Sequence, residues 1–365
     1  MAKKGVTEER YGHNMKITVL GGGNGAFATA AHMSFLGHEV TLSNRNFSKI
    51  SYLKSNSFVE ISGGALPDCT VQIARIMENP AEAIIGADII CICVPTMGHE
   101  YYANIIARSL CPEQIILLNP GHMGGALQFS YALRQSGYKH PLNIFESHTL
   151  MYATRKEGDH RIGIYNVCSN IMVASLPAQN PNFSIITQLY PSVRYVPNIL
   201  YTTLSDHNAV MHPPGMLLNA ALIQRTNGDF TFYDEGMSPA VGELIQELDN
   251  ERLSIADALG IKIDSFMEAF YKAGYTTKEA YESGCVYSAI KNSTPNKKIR
   301  CEPSLKSRYI QEDVGFGLVP MCEIAKRIGV STPVMDAFIT LCGKINNTDY
   351  RKSGLTLEKL GLNDI

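Results

Sequence analysis

The sequence predicts an α/β chain: an N-terminal doubly wound Rossmann domain followed by an all-helical C-terminal domain. Three observations predict it. Apolar runs alternate with helical stretches over the first 175 residues or so, a glycine-rich turn joins the first run to the first helix, and beyond residue 200 the helical period dominates. Apolar runs with no polar face, separated by helices, indicate a parallel sheet covered on both sides. Right-handed crossovers then make the sheet doubly wound.

Taken in order, residues 16–20 form an apolar run ending in glycines, residues 26–36 read as a helix stopped at Gly37, and residues 39–43 return as a strand. Further strands are expected at 71–74, 88–94, 114–118 and 142–146, with helices between most of them. The texture changes near residues 197–201, which divides the chain into domains 1–198 and 199–365. In the second domain Ser238-Pro239 has the form of a helix N-cap followed by proline. Val241, Leu244, Ile245, Leu248, Ile255, Ala256 and Leu259 continue a helical stripe until Gly260. Thr332-Pro333 opens another helix, with Val334, Phe338, Leu341, Cys342 and Ile345 on one side, whereas residues 291–306 read as a loop.

A chain of 365 residues with 45% hydrophobic content buries a core without staples and is not intrinsically disordered. Lys+Arg 32 against Asp+Glu 34 leaves no global basic field, so charge gives no support to a nucleic-acid role. The start, residues 1–10, is polar and lacks the apolar core of a signal peptide. The longest apolar stretch, residues 83–95, carries Asp88 and is too short to cross a bilayer. The nine cysteines contain no Cys-x-x-Cys pair, and no His-Glu-x-x-His motif offers metal ligands. No membrane association and no metal are expected. A reduced, cytoplasmic protein is.

Gly21-Gly22-Gly23-Asn24-Gly25-Ala26 follows a strand and opens a helix. It fits G-x-G-x-x-A. Gly21 allows the tight turn, Gly23 lets backbone approach a pyrophosphate, and Ala26 keeps helix and sheet close. Asn24 and Gly25 stand at the helix N-terminus, whose N–H groups face phosphate. An NAD site usually ends its second strand in a carboxylate that accepts from the ribose 2′-OH. Here Ser43-Asn44-Arg45-Asn46 stands instead, and Arg45 can stack on adenine and pair with a 2′-phosphate. NADP(H) is therefore favoured over NAD(H). The competing reading makes Arg45 a solvated surface residue and gives a plain ribose to Asn44.

Four further stretches join that loop in carrying a resemblance to a known family. They are Leu118-Asn119-Pro120-Gly121-His122-Met123-Gly124-Gly125-Ala126-Leu127, Asn208-Ala209-Val210-Met211-His212-Pro213-Pro214, the segment from Arg308-Tyr309 through Glu312-Asp313 to Pro320, and Thr356-Leu357-Glu358-Lys359-Leu360-Gly361-Leu362. In this order they resemble the opine dehydrogenases (octopine/nopaline dehydrogenase family), especially bacterial N-(1-carboxyethyl)-amino-acid dehydrogenases of the norvaline type. The resemblance implies NAD(P)H-dependent reductive condensation of a 2-oxo acid, pyruvate by family default, with the amino group of an L-amino acid. The product is an N-(1-carboxyalkyl)-amino acid, and the enzyme an oxidoreductase acting on a CH–NH bond. A homodimer is expected by analogy with related dehydrogenases.

That chemistry needs a group that moves protons near neutrality and cationic holders for two carboxylates. His212 resembles the family's acid/base, Asp313 its carboxylate partner, and Arg308 the arginine that grips the amino-acid carboxylate. Taken without the resemblance, His212 reads as a core histidine, Asp313 as a cap, and Arg308 as part of a solvated basic run. Asn208 lies four residues before His212 and shares its face if the stretch is helical. Asn119 and His122 follow a strand at the carboxyl edge of the sheet, where loops meet ligand in doubly wound folds, and Val94-Pro95 end another in the same way. Glu146 either selects a cationic amine or caps a turn. Two rivals remain: a glycerol-3-phosphate, 2-hydroxy-acid or ketopantoate type of dehydrogenase, and a non-catalytic NADP(H)-binding sensor.

Overall fold

A computed structural model describes residues 14–362; residues 1–13, on which the reading of a polar, leaderless start falls, and 363–365 lie outside them. The chain divides into two compact units between Thr203 and Leu204. The division read from the sequence, 198/199, falls slightly earlier. Ile199 and Tyr201 pack in the first unit's core, and that is what carries the division past them.

In the first unit, β1 (Lys16–Leu20), β2 (Glu39–Ser43), β5 (Arg75–Met77), β6 (Ile89–Ile92), β7 (Ile115–Leu118) and β8 (Ile144–Ser147) are parallel, in the order β5-β2-β1-β6-β7-β8. This is the dinucleotide-binding strand order. Two strands extend it past β8: β11 (Met172–Leu176), which is antiparallel, and β12 (Arg194–Tyr195). The period of two explains the double burial. Ile89 and Cys91 point to one face, while Ile90 and Ile92 point to the other. On the first face lies α1 (Asn24–Phe35); the second carries α2 (His99–Ile106) and α3 (Gly125–Gln135).

A second sheet is absent from the sequence reading. Strands β3 (Phe58–Ser62), β4 (Cys69–Gln72), β9 (Tyr152–Lys156) and β10 (Arg161–Val167) pair as β4-β3-β10-β9 and pack over α1. The strand expected at 71–74 is therefore corrected. Its first residues belong to β4 in this second sheet, and the strand that extends the main sheet beside β2 is β5.

The second unit is helical. Its parts include α4 (Asn208–Leu218), α5 (Pro239–Ala258), α6 (Arg308–Asp313), α7 (Val319–Ile328) and α8 (Pro333–Asn346). Ser238 caps α5 as expected, its hydroxyl accepting from Val241 N–H at 3.4 Å. The face of α8 is a correction. Met335, Phe338, Ile339 and Cys342 are buried, while Leu341 and Ile345 are 53% and 45% exposed. Among the described residues no helix is long and apolar enough to cross a membrane, and no group of three or more His, Cys, Asp or Glu is placed to hold a metal ion.

Candidate active site

At the mouth of the parallel sheet, β1 runs into the glycine loop and the loop into α1. Gly21 adopts φ +147°, and a Cβ there would stand 2.4 Å from the Cys93 carbonyl oxygen, so only glycine fits between β1 and the end of β6. A Cβ on Gly23 would meet nothing within 4 Å, and no side chain caps the α1 N-terminus that Gly23 begins. Open space in front of an uncapped helix end suits a pyrophosphate. Ala26 is fully buried against the sheet and Gly25 packs on Leu150. The Asn24 side chain is tied to the second sheet instead, accepting from Lys156 N–H at 2.9 Å.

Beyond β2, Asn44 is buried beside Gly22; it accepts from the Tyr102 hydroxyl at 3.2 Å and donates to Asn46 O at 3.1 Å. The Arg45 side chain is exposed, with its guanidinium 5.5 Å from the centre of the Tyr101 ring. At the end of β6, Val94 packs against Gly98, and Pro95 accepts from Gly98 N–H at 2.7 Å.

The loop after β7 is held from inside. Asn119 is buried, accepting from Met151 N–H at 3.0 Å, and His122 is buried with φ +53°. Glu146 lies beneath this loop with no exposed surface. One of its oxygens accepts from Ala126 N–H at 2.6 Å in the first turn of α3, and the other accepts from the Thr202 hydroxyl. Burial raises its pKa to about 7, against the opposing influence of those bonds and of His122. Of its two expected roles, the cap is the one its surroundings fit.

In the second unit the carrying geometry is a histidine–aspartate pair. Asn208 and His212 both lie on α4, one turn apart, so the conditional placement on one helical face is met. The helix continues through Pro213 and Pro214, which withdraw two N–H donors from its ladder directly after His212. His212 Nδ1 lies 2.7 Å from Asp313 Oδ2, and both side chains are buried. Tyr309 stacks on the imidazole with ring centres 3.7 Å apart and an interplanar angle of 5°. At the other ring nitrogen, Nε2 is 3.1 Å from the Tyr233 hydroxyl.

Asp313 ends α6, where the backbone passes into a π-turn (Val314–Leu318) before α7 resumes. Such turns widen a helix locally and recur at functional sites. Gly317 lets this helix close on α4, since a Cβ there would stand 2.6 Å from Ala209 Cβ. Leu355 N–H donates to Gly315 O within the turn at 2.8 Å, and Glu323 accepts from Leu357 N–H at 2.6 Å. Residues 355–357 are thereby docked on the π-turn and on α7.

Burial pushes the His212 imidazole toward its neutral form, and the Arg308 charge adds to that; Asp206, Glu312 and Glu302 pull the other way. Nδ1–H then donates to the Asp313 carboxylate, which leaves the Nε2 lone pair to accept. Arg308 is half exposed, its guanidinium 3.6 Å from the buried Glu312 carboxylate.

The helical-domain model of the NAD/NADP octopine/nopaline dehydrogenases matches residues 195–346. An opine dehydrogenase of Arthrobacter sp. (strain 1C) is 34% identical over 349 residues, covering 95% of each chain. The chain belongs to the opine dehydrogenase family. Family members are NAD(P)-dependent oxidoreductases that condense a 2-oxo acid reductively with an amine. Solved structures agree in fold: octopine dehydrogenase with NADH and L-arginine superposes with a TM-score of 0.77 at 18% identity, over 96% of both chains. Yersinopine dehydrogenase bound to NADP+ gives 0.76 at 16%, again over 96% of both.

In this family member His212 meets Asp313, 101 residues further on, in the second unit, with Arg308 on the same short helix as Asp313, while the cofactor-loop residues gather in the first. Sequence reasoning missed Tyr233 and the stacking role of Tyr309. Tyr309 adjoins Arg308 in a quoted motif and could have been flagged there. Tyr233 sits in a non-periodic loop, held by the Thr231–Arg300 bridge and by Phe232 packed on Gly215, and no local pattern announces it.

Proposed function

We propose that the chain joins pyruvate to the amino group of an L-amino acid through an imine, forming an N-(1-carboxyethyl)-amino acid. The reaction class is oxidation and reduction at a CH–NH bond. The observation that carries the reading is the buried His212–Asp313 pair at 2.7 Å with Arg308 on the same helix as Asp313. Neutral His212 accepts the proton that frees the amine for attack on the oxo carbon. The imidazolium so formed, stabilised by Asp313, returns that proton to the departing hydroxyl as water leaves. Arg308 grips the amino-acid carboxylate. The loop from Gly21 to Ala26 with Val94 and Pro95 would hold the dinucleotide cofactor, which when bound would supply the hydride for the reduction. Asn119, His122 and Asn208 border the substrates in this reading.

In this reading NADP(H) is the preferred cofactor, and the chain works as a homodimer in the cytoplasm. The end of β2 supports that preference: Arg45 is exposed, and residues 43–46 include no carboxylate to repel a 2′-phosphate. Arg45→Ala is expected to raise the Michaelis constant for NADPH while barely changing that for NADH. An NADH preference that survives the substitution refutes the assignment.

The function itself is tested by NADPH consumption with pyruvate, glyoxylate or 2-oxoglutarate against a panel of L-amino acids. Consumption should require both partners, and His212→Asn should lower it by roughly 10²–10⁴-fold. Turnover of an oxo acid with no amine present sinks the reading.

A further inference from the structure

The Tyr233 hydroxyl occupies the ring nitrogen that the proposed reaction uses. It stands 3.1 Å from His212 Nε2, and Tyr233 is 5% exposed, so bulk water does not substitute for it there. The same hydroxyl shares a hydrogen bond with the hydroxyl of Tyr309, whose ring stacks on the imidazole. We propose that Tyr233 is a positioning residue for His212, the one Nε2 partner that serves both protonation states of the imidazole. The inference rests on the acid/base reading of His212.

The argument is one of donor and acceptor counting. Neutral His212 gives its Nδ1–H to Asp313 and needs a donor at Nε2, which the Tyr233 O–H supplies. Protonated His212 carries a hydrogen on Nε2 and needs an acceptor in the same place. A tyrosine hydroxyl becomes that acceptor by turning its own hydrogen to the Tyr309 oxygen. The substrate amine reaches Nε2 with the hydroxyl turned aside to Tyr309, and once the proton has moved the hydroxyl oxygen accepts from Nε2–H; no bond is made or broken in tyrosine. Without the hydroxyl, an imidazolium would hold a buried, unsatisfied N–H, which is costly.

The charged groups around the ring set the sign. Asp313, Glu312 and Arg308 face it from α6, Asp206 from the turn before α4, and Glu302 from the loop preceding α6. A hydrogen bond to the charged ring is stronger than one to the neutral ring. Losing the hydroxyl therefore penalises the imidazolium more than the imidazole, and His212 should hold its proton less well.

The test uses full-length Tyr233→Phe, which keeps the ring and its packing. Two measurements are made: ¹⁵N spectra of histidine-labelled free protein at neutral pH, assigned with His212→Asn, and the pH profile of kcat with pyruvate and the panel amino acid giving most turnover. In Tyr233→Phe the His212 Nε2 resonance is expected to move toward that of an imidazole nitrogen with no donor. The limb of the profile belonging to His212 is expected to shift to lower pH, and kcat to fall about tenfold with KM changed less than twofold. A purely structural role would lower Tm and leave the limb where it was. An unmoved Nε2 resonance, or an unmoved limb with kcat within twofold of wild type, overturns the positioning role and leaves the acid/base reading intact. If instead His212→Asn retains turnover, the acid/base reading falls and Tyr233's catalytic part falls with it, even where the resonance has moved.

Discussion

Asp313 separates two contributions that a histidine needs from its neighbour. It orients the imidazole through a 2.7 Å bond, and it offsets the positive charge that the ring acquires. Asparagine keeps the size and can keep a hydrogen bond, but its amide offers no charge and can lock the ring in the wrong tautomer. Asp313→Asn is therefore expected to lower kcat at least a hundredfold while leaving the folded state near wild-type stability; kinetics beside a thermal melt checks this. Turnover within tenfold of wild type would show that geometry alone suffices. This pair was legible in the sequence only through the motif that surrounds each residue. A histidine and an aspartate 101 positions apart carry no mutual signal of their own.

At the scale of elements, the pattern of legibility follows burial. Strands β1 and β2 agree with the sequence reading residue for residue because every position but the first of each is buried, which writes a run of aliphatic residues broken only by small hydroxyl side chains. The second sheet escaped for the opposite reason. Tyr152–Lys156 is only partly buried and carries Arg155 and Lys156, so neither an apolar run nor a clean alternation marks it. On α8 the error was rotational, since Leu341 and Ile345 continue an apolar spacing on the exposed side. Close packing of elements leaves sharper expectations. Gly317→Val would place a branched side chain where a single Cβ already comes within 2.6 Å of Ala209 Cβ, wedging α4 from the helix of Asp313. A loss of about 1–3 kcal/mol is expected from overpacking, read by denaturant unfolding, with kcat falling as the His212–Asp313 distance opens. Stability equal to wild type would mean the two helices can slide apart freely.

Across the whole molecule, buried histidines set how stability responds to acid. Burial lowers His32 to about 4, with His38 adding to it, and lowers His99 to about 3, with His122 adding to it; His212 is also lowered, first by burial. The unfolded rings take protons below about 6.5, and the folded rings refuse them until the pH is far lower. Their stabilisation is thus complete above 6.5 and lost progressively as pH falls below it. Glu146 runs the other way. Raised to about 7, its ionisation weighs on the fold as pH climbs from the ordinary carboxylate range, and that cost is relieved as pH falls. Burial also lowers His38 and raises Glu251; four rings outweigh two carboxylates, so the urea midpoint should drop between pH 7 and pH 5, and His32→Gln should flatten the decline. A midpoint that rises toward pH 5 contradicts this balance.

The π-turn at Val314–Leu318 has a consequence for the end of the chain. A turn of this kind holds an extra residue in the winding, and each residue of an α-helix is worth about 100° of rotation. If residues 308–328 rewound as a plain α-helix, one segment would turn against the other, and Asp313 and Gly317 could not both keep their present faces toward α4. The N–H of Leu355 occupies Gly315 O inside that turn, and the segment behind it is held by Glu323. Residues 355–357 therefore act as a wedge that keeps the winding in register. Removing residues 354–365 is expected to depress kcat strongly while helical content by circular dichroism changes little. The chain would lose its proton-handling geometry through a segment docked on Gly315 and Glu323.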